Sequence, residues 1–198
     1  MKLIFATGNK GKLREAREIL DGFEVLSPAE AGLGPEALDV EENGSSFAEN
    51  SRIKAEHLAA MCDDAVFADD SGLVVDALDG APGIYSARYA PTTSENIPKL
   101  LLELEAAGAM AAEQRRARFV CVATLIAGGR TLSFEGRCEG RIAAAPEGDG
   151  GFGYDPVFVA DAFPDRTIAC VPEDDKNSIS HRGEALRKLA EWLRQSNS

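Results

Sequence analysis

Five short runs hold most of the side chains able to do chemistry in this 198-residue chain. The first is Thr7-Gly8-Asn9-Lys10-Gly11-Lys12, between an apolar run and a helical pattern. Its glycines let the backbone approach a ligand closely. A helix N-terminus offers unpaired N–H groups and the positive end of a dipole, which suits phosphate, and the two lysines add charge. The run is not a GxxxxGK[ST] loop. Taken alone, it reads equally as a tight turn with two solvated lysines.

Two acidic runs follow. Asp69-Asp70-Ser71-Gly72 sits where the apolar residues 65–68 end, and carboxylates at strand ends are where α/β proteins hold ligands. A hard cation such as magnesium takes oxygen ligands and keeps some of its water. Neighbouring side chains of a strand point opposite ways, so one of the two aspartates is expected to enter a site. An Asp-rich turn explains the run as well. Glu41-Glu42 precedes a helix that carries Asn50 and Lys54 on one face. The two glutamates by themselves read as a solvated acidic loop near a favourable dipole.

The last two runs place aromatics and cations. Gly150-Gly151-Phe152-Gly153-Tyr154-Asp155-Pro156 sets two rings among glycines. Phe152 there can stack on a base, although core packing is the usual fate of such rings. Lys176, His181 and Arg182 are close in sequence within an acidic protein and are hydrogen-bond donors for carbonyl groups. His57 lies in the second helix and takes no role.

The elements that position these runs follow from apolar periodicity. Residues 2–6 read as a buried strand and residues 12–20 as an amphipathic helix. Residues 28–46 read as loop with one short strand. Ser46 and Glu49 fit a capping box for a helix reaching about residue 61. Residues 65–68 are a strand and 73–75 a possible continuation. Residues 80–94 are loop, and 95–107 a helix. Residues 119–127 and 131–134 form a hairpin around Gly128-Gly129. Residues 137–144 add a third strand, 148–156 a glycine-rich loop, and 182–194 the final helix. Helix and strand alternate first and strands cluster later, which argues an α/β fold with a mixed sheet, as one domain or one domain in two lobes.

Composition narrows the function classes. The net charge of −12 speaks against a broad nucleic-acid face and against an anionic membrane surface. A small polyanion is compatible if the few cations converge. Cys62, Cys121, Cys138 and Cys170 form no CxxC pair, so reduced and mostly buried thiols are expected rather than zinc ligands. The N-terminus lacks the long apolar core of a signal peptide, no stretch is apolar enough to span a bilayer, and the chain reads as cytoplasmic.

In order, TGNKGK, EENGSSFAENSRIKA, FADDSGLVVDALDGAPGIYSARYA, GGFGYDPVF and KNSISHRGEAL closely resemble the inosine triphosphate pyrophosphatase family, the bacterial XTP/dITP diphosphatases. The resemblance runs from Lys2 to about Leu189. Residues 161–175 depart from it, with Ala169-Cys170-Val171-Pro172 where a more acidic helical stretch is expected.

The resemblance implies an elongated, twisted, mixed sheet with flanking helices in two lobes around a central cleft, and a homodimer. It implies that Thr7, Gly8, Asn9, Lys10, Gly11 and Lys12 hold the triphosphate, with Lys54 also on the substrate side. Asp70 is the proton acceptor and, with Glu42, holds Mg2+. Ser71 contacts the substrate. Phe152, Gly153, Tyr154 and Asp155 line the nucleoside pocket, and Lys176, His181 and Arg182 read the base. The implied reaction converts ITP, dITP or XTP to the monophosphate and pyrophosphate. Such chemistry needs charge stabilisation and an oriented water. Asp70, next to a cation, is expected to stay ionised. Donors around the base favour the 6-oxo group of hypoxanthine and xanthine over the 6-amino group of adenine. The rival readings are a pyrophosphatase for another modified nucleotide and a nucleotide-binding sensor without turnover.

Overall fold

Strand β1, Lys2–Phe5, is apolar on both faces, and so are the two ends of its neighbour β3, Ala65–Val75. Such runs suit a parallel strand covered on both sides. β1 pairs in parallel with β2, Glu24–Leu26, and with β3. Parallel neighbours need crossovers. Helix α1, Lys10–Ile19, links β1 to β2, and α2, Phe47–Ala59, lies in the segment leading to β3. A computed structural model describes residues 1–196 of the chain. Further on come α3, Asn96–Ala106, then β4, Arg116–Ala127, and β5, Arg130–Ile142. Strand β6, Phe158–Ala160, the short α4, Glu173–Ser178, and α5, His181–Ser196, complete the order. The sheet runs β2-β1-β3-β4-β5-β6, and β5 pairs antiparallel with β6. The fold is therefore α/β with a mixed sheet.

The described residues fall into two compact units. The first holds residues 1–70, 121–136 and the chain from Arg182 on. In it, Leu3, Phe5 and Phe67 pack with Leu186 and Leu189 of α5, and the Phe5 and Phe67 rings stack at 4.3 Å. Ile4 and Val66, on the opposite face of the same strands, pack with Ala55 and Leu58 of α2. The second unit holds residues 71–120 and 137–181. Its core joins Leu73 and Val75 of β3 with Leu100 and Leu104 of α3 and Phe158 of β6. Strands β3, β4 and β5 run through both units.

Several expected boundaries move. The acidic run Asp69–Gly72 is not a loop at a strand end but the middle of the eleven-residue β3. Ion pairs satisfy both carboxylates, so the polar residues do not break the strand. The two strands expected at 131–134 and 137–144 are one long strand, β5, which continues through Gly136 and ends at Ile142. The hairpin turn is as expected, with Gly128 and Gly129 both at positive φ. The short strand lies at 24–26, before the loop expected to contain it, and that loop instead holds a 3-10 turn at Pro35–Leu38. The capping box is half made: Ser46 Oγ accepts from the Glu49 amide at 3.2 Å, while the Glu49 carboxylate turns to Ser45. Residues 161–175 carry a 3-10 turn at Ile168–Cys170 and the start of α4. All four thiols are free, but only Cys121 and Cys138 are buried, and Cys170 is exposed. Among the described residues no helix is long and apolar enough to cross a membrane.

Candidate active site

In the first unit the chain leaves β1 at Thr7 and enters α1 at Lys10. Asn9 is the reason the helix begins two residues earlier than its apolar pattern suggests. It is the N-cap, and its Oδ1 accepts from the amides of Gly11 at 2.8 Å and Lys12 at 3.1 Å. The buried Thr7 accepts from the Asn9 amide at 3.2 Å. A Cβ at Gly8 would lie 3.3 Å from Leu38 Cδ1, so a small residue suits this close approach. Below the loop is a cavity of about 330 Å³ lined by Thr7, Gly8, Asn9, Lys12, Glu42, Lys54 and Asp69, among others.

Side chains of β3 and α2 place the charges. Asp69 is only 2% exposed. Both its oxygens accept from Lys12 Nζ at 3.0 Å, and Oδ2 also accepts from Arg182 Nε at 3.0 Å. Arg182 reaches on to Glu15 Oε2 at 2.9 Å. Asp70 meets the lysine of α2: Lys54 Nζ donates to Asp70 Oδ1 and to Glu42 Oε2, each at 3.0 Å. Asn50 Nδ2 lies 3.5 Å from Asp70 Oδ2. Both aspartates are thus engaged, each by its own cations.

The two carboxyls differ in proton affinity. Burial pushes Asp69 up, but Lys12, Arg182 and Lys54 more than offset this and hold it well below the usual carboxylate range. Burial also pushes Asp70 up; Lys54 opposes it, Glu42 reinforces it, and the net shift is upward. Burial lowers the proton affinity of Lys54, yet Asp70, Asp69 and Glu42 together raise it.

The second unit holds the aromatic run. Phe152 is 81% exposed, whereas Tyr154 is buried and donates from its hydroxyl to Ser86 O at 2.9 Å. Asp155 is buried, accepts from the Phe152 amide at 2.7 Å, and pairs with the Lys176 ammonium. Gly151 has φ +82°, and a Cβ there would collide with the Asp155 carboxylate, so a bare backbone is required. The His181 ring stacks on Phe119 at 5.0 Å. Ser71 continues β3 beyond Asp70.

A model of the Ham1 family matches residues 3–192. The chain belongs to the Ham1 family. It is similar along its length to the dITP/XTP pyrophosphatase of Bacillus subtilis, 47% identical over 196 residues and covering 96% of each chain. The dITP/XTP pyrophosphatase of Oceanobacillus iheyensis is 43% identical, covering 97% of this chain and 98% of the relative. The solved Ham1 protein of Staphylococcus aureus aligns with a TM-score of 0.87 at 40% identity, covering 99% of this chain and 100% of that one. That of Coxiella burnetii aligns at 0.88, also at 40% identity, covering 98% of this chain and 99% of that one.

Within this Ham1-family fold the first unit brings together Thr7, Gly8, Asn9, Lys12, Glu42, Lys54, Asp70 and Arg182 around Asp69, while Lys10 lines a separate cavity with Arg14 and Glu18. The second brings together Phe152 to Asp155 and Lys176. Sequence reasoning passed over two residues. Asp69 belonged to a recognised run, but its part as the hub of Lys12 and Arg182 was not foreseen. Glu15 was missed entirely, although it lies one turn after Lys12 on α1, a spacing that faces the same side.

Proposed function

We infer that this chain hydrolyses non-standard purine nucleoside triphosphates (ITP, dITP and XTP) to the monophosphate and pyrophosphate. The observation that carries the reading is similarity along the chain to dITP/XTP pyrophosphatases, joined to a cavity that combines a phosphate-type loop with Glu42, Asp69, Lys12 and Lys54. Phosphoanhydride cleavage asks the protein for position and charge more than for covalent chemistry.

Lys12 and Lys54 supply positive charge to the triphosphate, with Thr7 to Lys12 as its cradle. Asp70 takes the proton of the attacking water. Attack at the α-phosphorus gives the monophosphate and pyrophosphate.

Glu42 and Asp70 form an oxygen-only donor pair already drawn around one cation, the Lys54 ammonium. Among the described residues no group of three or more potential metal-binding side chains is assembled. Two carboxylates completed by waters and phosphate oxygens suit Mg2+, which favours few protein ligands. When bound, Mg2+ neutralises developing charge on the phosphates.

In the second unit, Phe152 stacks on the base, and Tyr154 and Asp155 shape its pocket. Asp155 holds the Lys176 ammonium, whose remaining N–H groups, with His181, face the 6-oxo group. Ser71 contacts the substrate. The resemblance supports a homodimer, which sedimentation would weigh. The four free thiols fit a reducing compartment, in keeping with work on the cytoplasmic nucleotide pool.

The deciding experiment is pyrophosphate release from ITP, XTP, dITP, GTP and ATP, each with and without Mg2+. Mg2+-dependent release from the first three alone is expected. Equal release from GTP or ATP overturns the selectivity, and none from any substrate turns the reading to a nucleotide-binding protein without turnover.

A further inference from the structure

Three cations of the first unit's site are held by carboxylates: Lys12 by Asp69, Arg182 by Asp69 and Glu15, and Lys54 by Glu42 and Asp70. The last set differs from the others. Asp69 is enclosed and accepts from two cations, but Glu42 and Asp70 share a single ammonium. The backbone that carries them does not depend on it. Asp70 lies in the ladder of β3. Glu42 precedes a segment pinned by the Gly44 amide, which donates to Asn50 Oδ1 at 2.8 Å. A Cβ at Gly44 would come within 2.7 Å of both Asn50 and Glu49, so the backbone is pressed against α2. The backbone that carries the two carboxylates is therefore set without Lys54, and two like charges brought together favour a cation between them, whichever cation that is.

We propose that Lys54 is an internal competitor for the metal: its ammonium and a divalent cation bind the same two carboxylates, one at a time. This rests on the hydrolase reading and adds an order of events to it. Two cations a few ångströms apart on one carboxylate pair repel strongly at the low effective dielectric of a largely buried site. Metal entry and departure of the ammonium are then one exchange. The displaced charge stays within the cavity that Lys54 already lines with Lys12. There it becomes available to phosphate only once the carboxylates have been given to the metal. Before that exchange the site presents a neutralised lysine to an incoming triphosphate, so nucleotide without metal binds weakly.

The test is direct metal binding in the absence of nucleotide, with Mn2+ as the probe and free Mn2+ read by electron paramagnetic resonance. Lys54→Met is expected to tighten Mn2+ by roughly tenfold or more over wild type, since a like charge beside the ion is removed. Lys54→Arg, which keeps the charge, is expected not to tighten it. Equal or weaker Mn2+ binding by Lys54→Met overturns the proposal. Should Lys54→Met fail to fold by circular dichroism, wild-type protein with 13C-dimethylated lysines decides the matter. The Lys54 signal, assigned with Lys54→Arg, is expected to move on Mg2+ addition without nucleotide, and a signal unmoved at saturating Mg2+ overturns the exchange. Pyrophosphate release from ITP by wild type, run alongside, is the separate readout on which the hydrolase reading stands or falls.

Discussion

Asp69 and Asp70 are neighbours on one strand, and the pleat sends their side chains to different partners with different consequences for their protons. Asp69 faces two direct cations and holds its charge firmly, whereas Asp70 shares one lysine with Glu42 and holds a proton more readily than an ordinary aspartate. A charge locked between Lys12 and Arg182 is a poor proton acceptor, which supports the proposal of Asp70 rather than Asp69 as the base. Asp70→Asn is expected to lower kcat by about 10²- to 10⁴-fold, the usual weight of a general base, while ITP still binds in calorimetry. Near-wild-type turnover would move the base elsewhere. Phe152 makes a second test at this scale. Its ring is exposed, and Phe152→Ala is expected to leave the melting temperature unchanged. If the ring stacks on the base, the loss of about 1–3 kcal/mol of stacking raises KM for ITP by roughly tenfold or more.

At the scale of elements, the helices were legible because an apolar stripe at 3.6-residue spacing is hard to mistake, and α2, α3 and α5 lie within a few residues of expectation. The strands were legible where both faces are apolar, as in β1, and poorly where charge interrupts. Asp69 and Asp70 looked like the end of a strand because sequence cannot reveal that Lys12, Arg182 and Lys54 arrive from other elements to neutralise them. The same blindness hid Glu15, whose partner lies 167 residues away. In the candidate site the residue types were legible and their pairings were not. The start of α1 shows a local rule overriding periodicity. Asn9 caps the helix ahead of its apolar stripe, using amides that the bare motif seemed to offer to phosphate. Asn9→Ala is expected to cost about 1 kcal/mol of stability, read by urea denaturation. An unchanged midpoint would mean that the cap adds nothing.

At the scale of the whole molecule, an excess of acidic residues coexists with a site where three cations converge, and Asp69 lies at its centre. Its nearly complete burial makes this hub a structural commitment: removing one partner of a buried pair leaves uncompensated charge and typically costs about 3–5 kcal/mol. Asp69→Asn takes from Lys12 and Arg182 the carboxylate they share, leaving Arg182 to Glu15, and at neutral pH it is expected to melt well below wild type. The sign of the pH dependence follows from linkage. The folded proton affinity of Asp69 is depressed below its ordinary value of 3.8, so its contribution is fully present above that value and drains away as pH falls below it. Protonated aspartic acid resembles asparagine, so the two proteins should converge in acid. Thermal melts at pH 7, 4 and 3 are expected to give a gap between wild type and Asp69→Asn that is constant above about pH 5 and narrows below about pH 4. The comparison isolates Asp69 because every other carboxylate titrates in both proteins. A gap that stays the same down to pH 3 would mean that Asp69 binds its proton with equal strength folded and unfolded, and that Lys12 and Arg182 do not stabilise its charge.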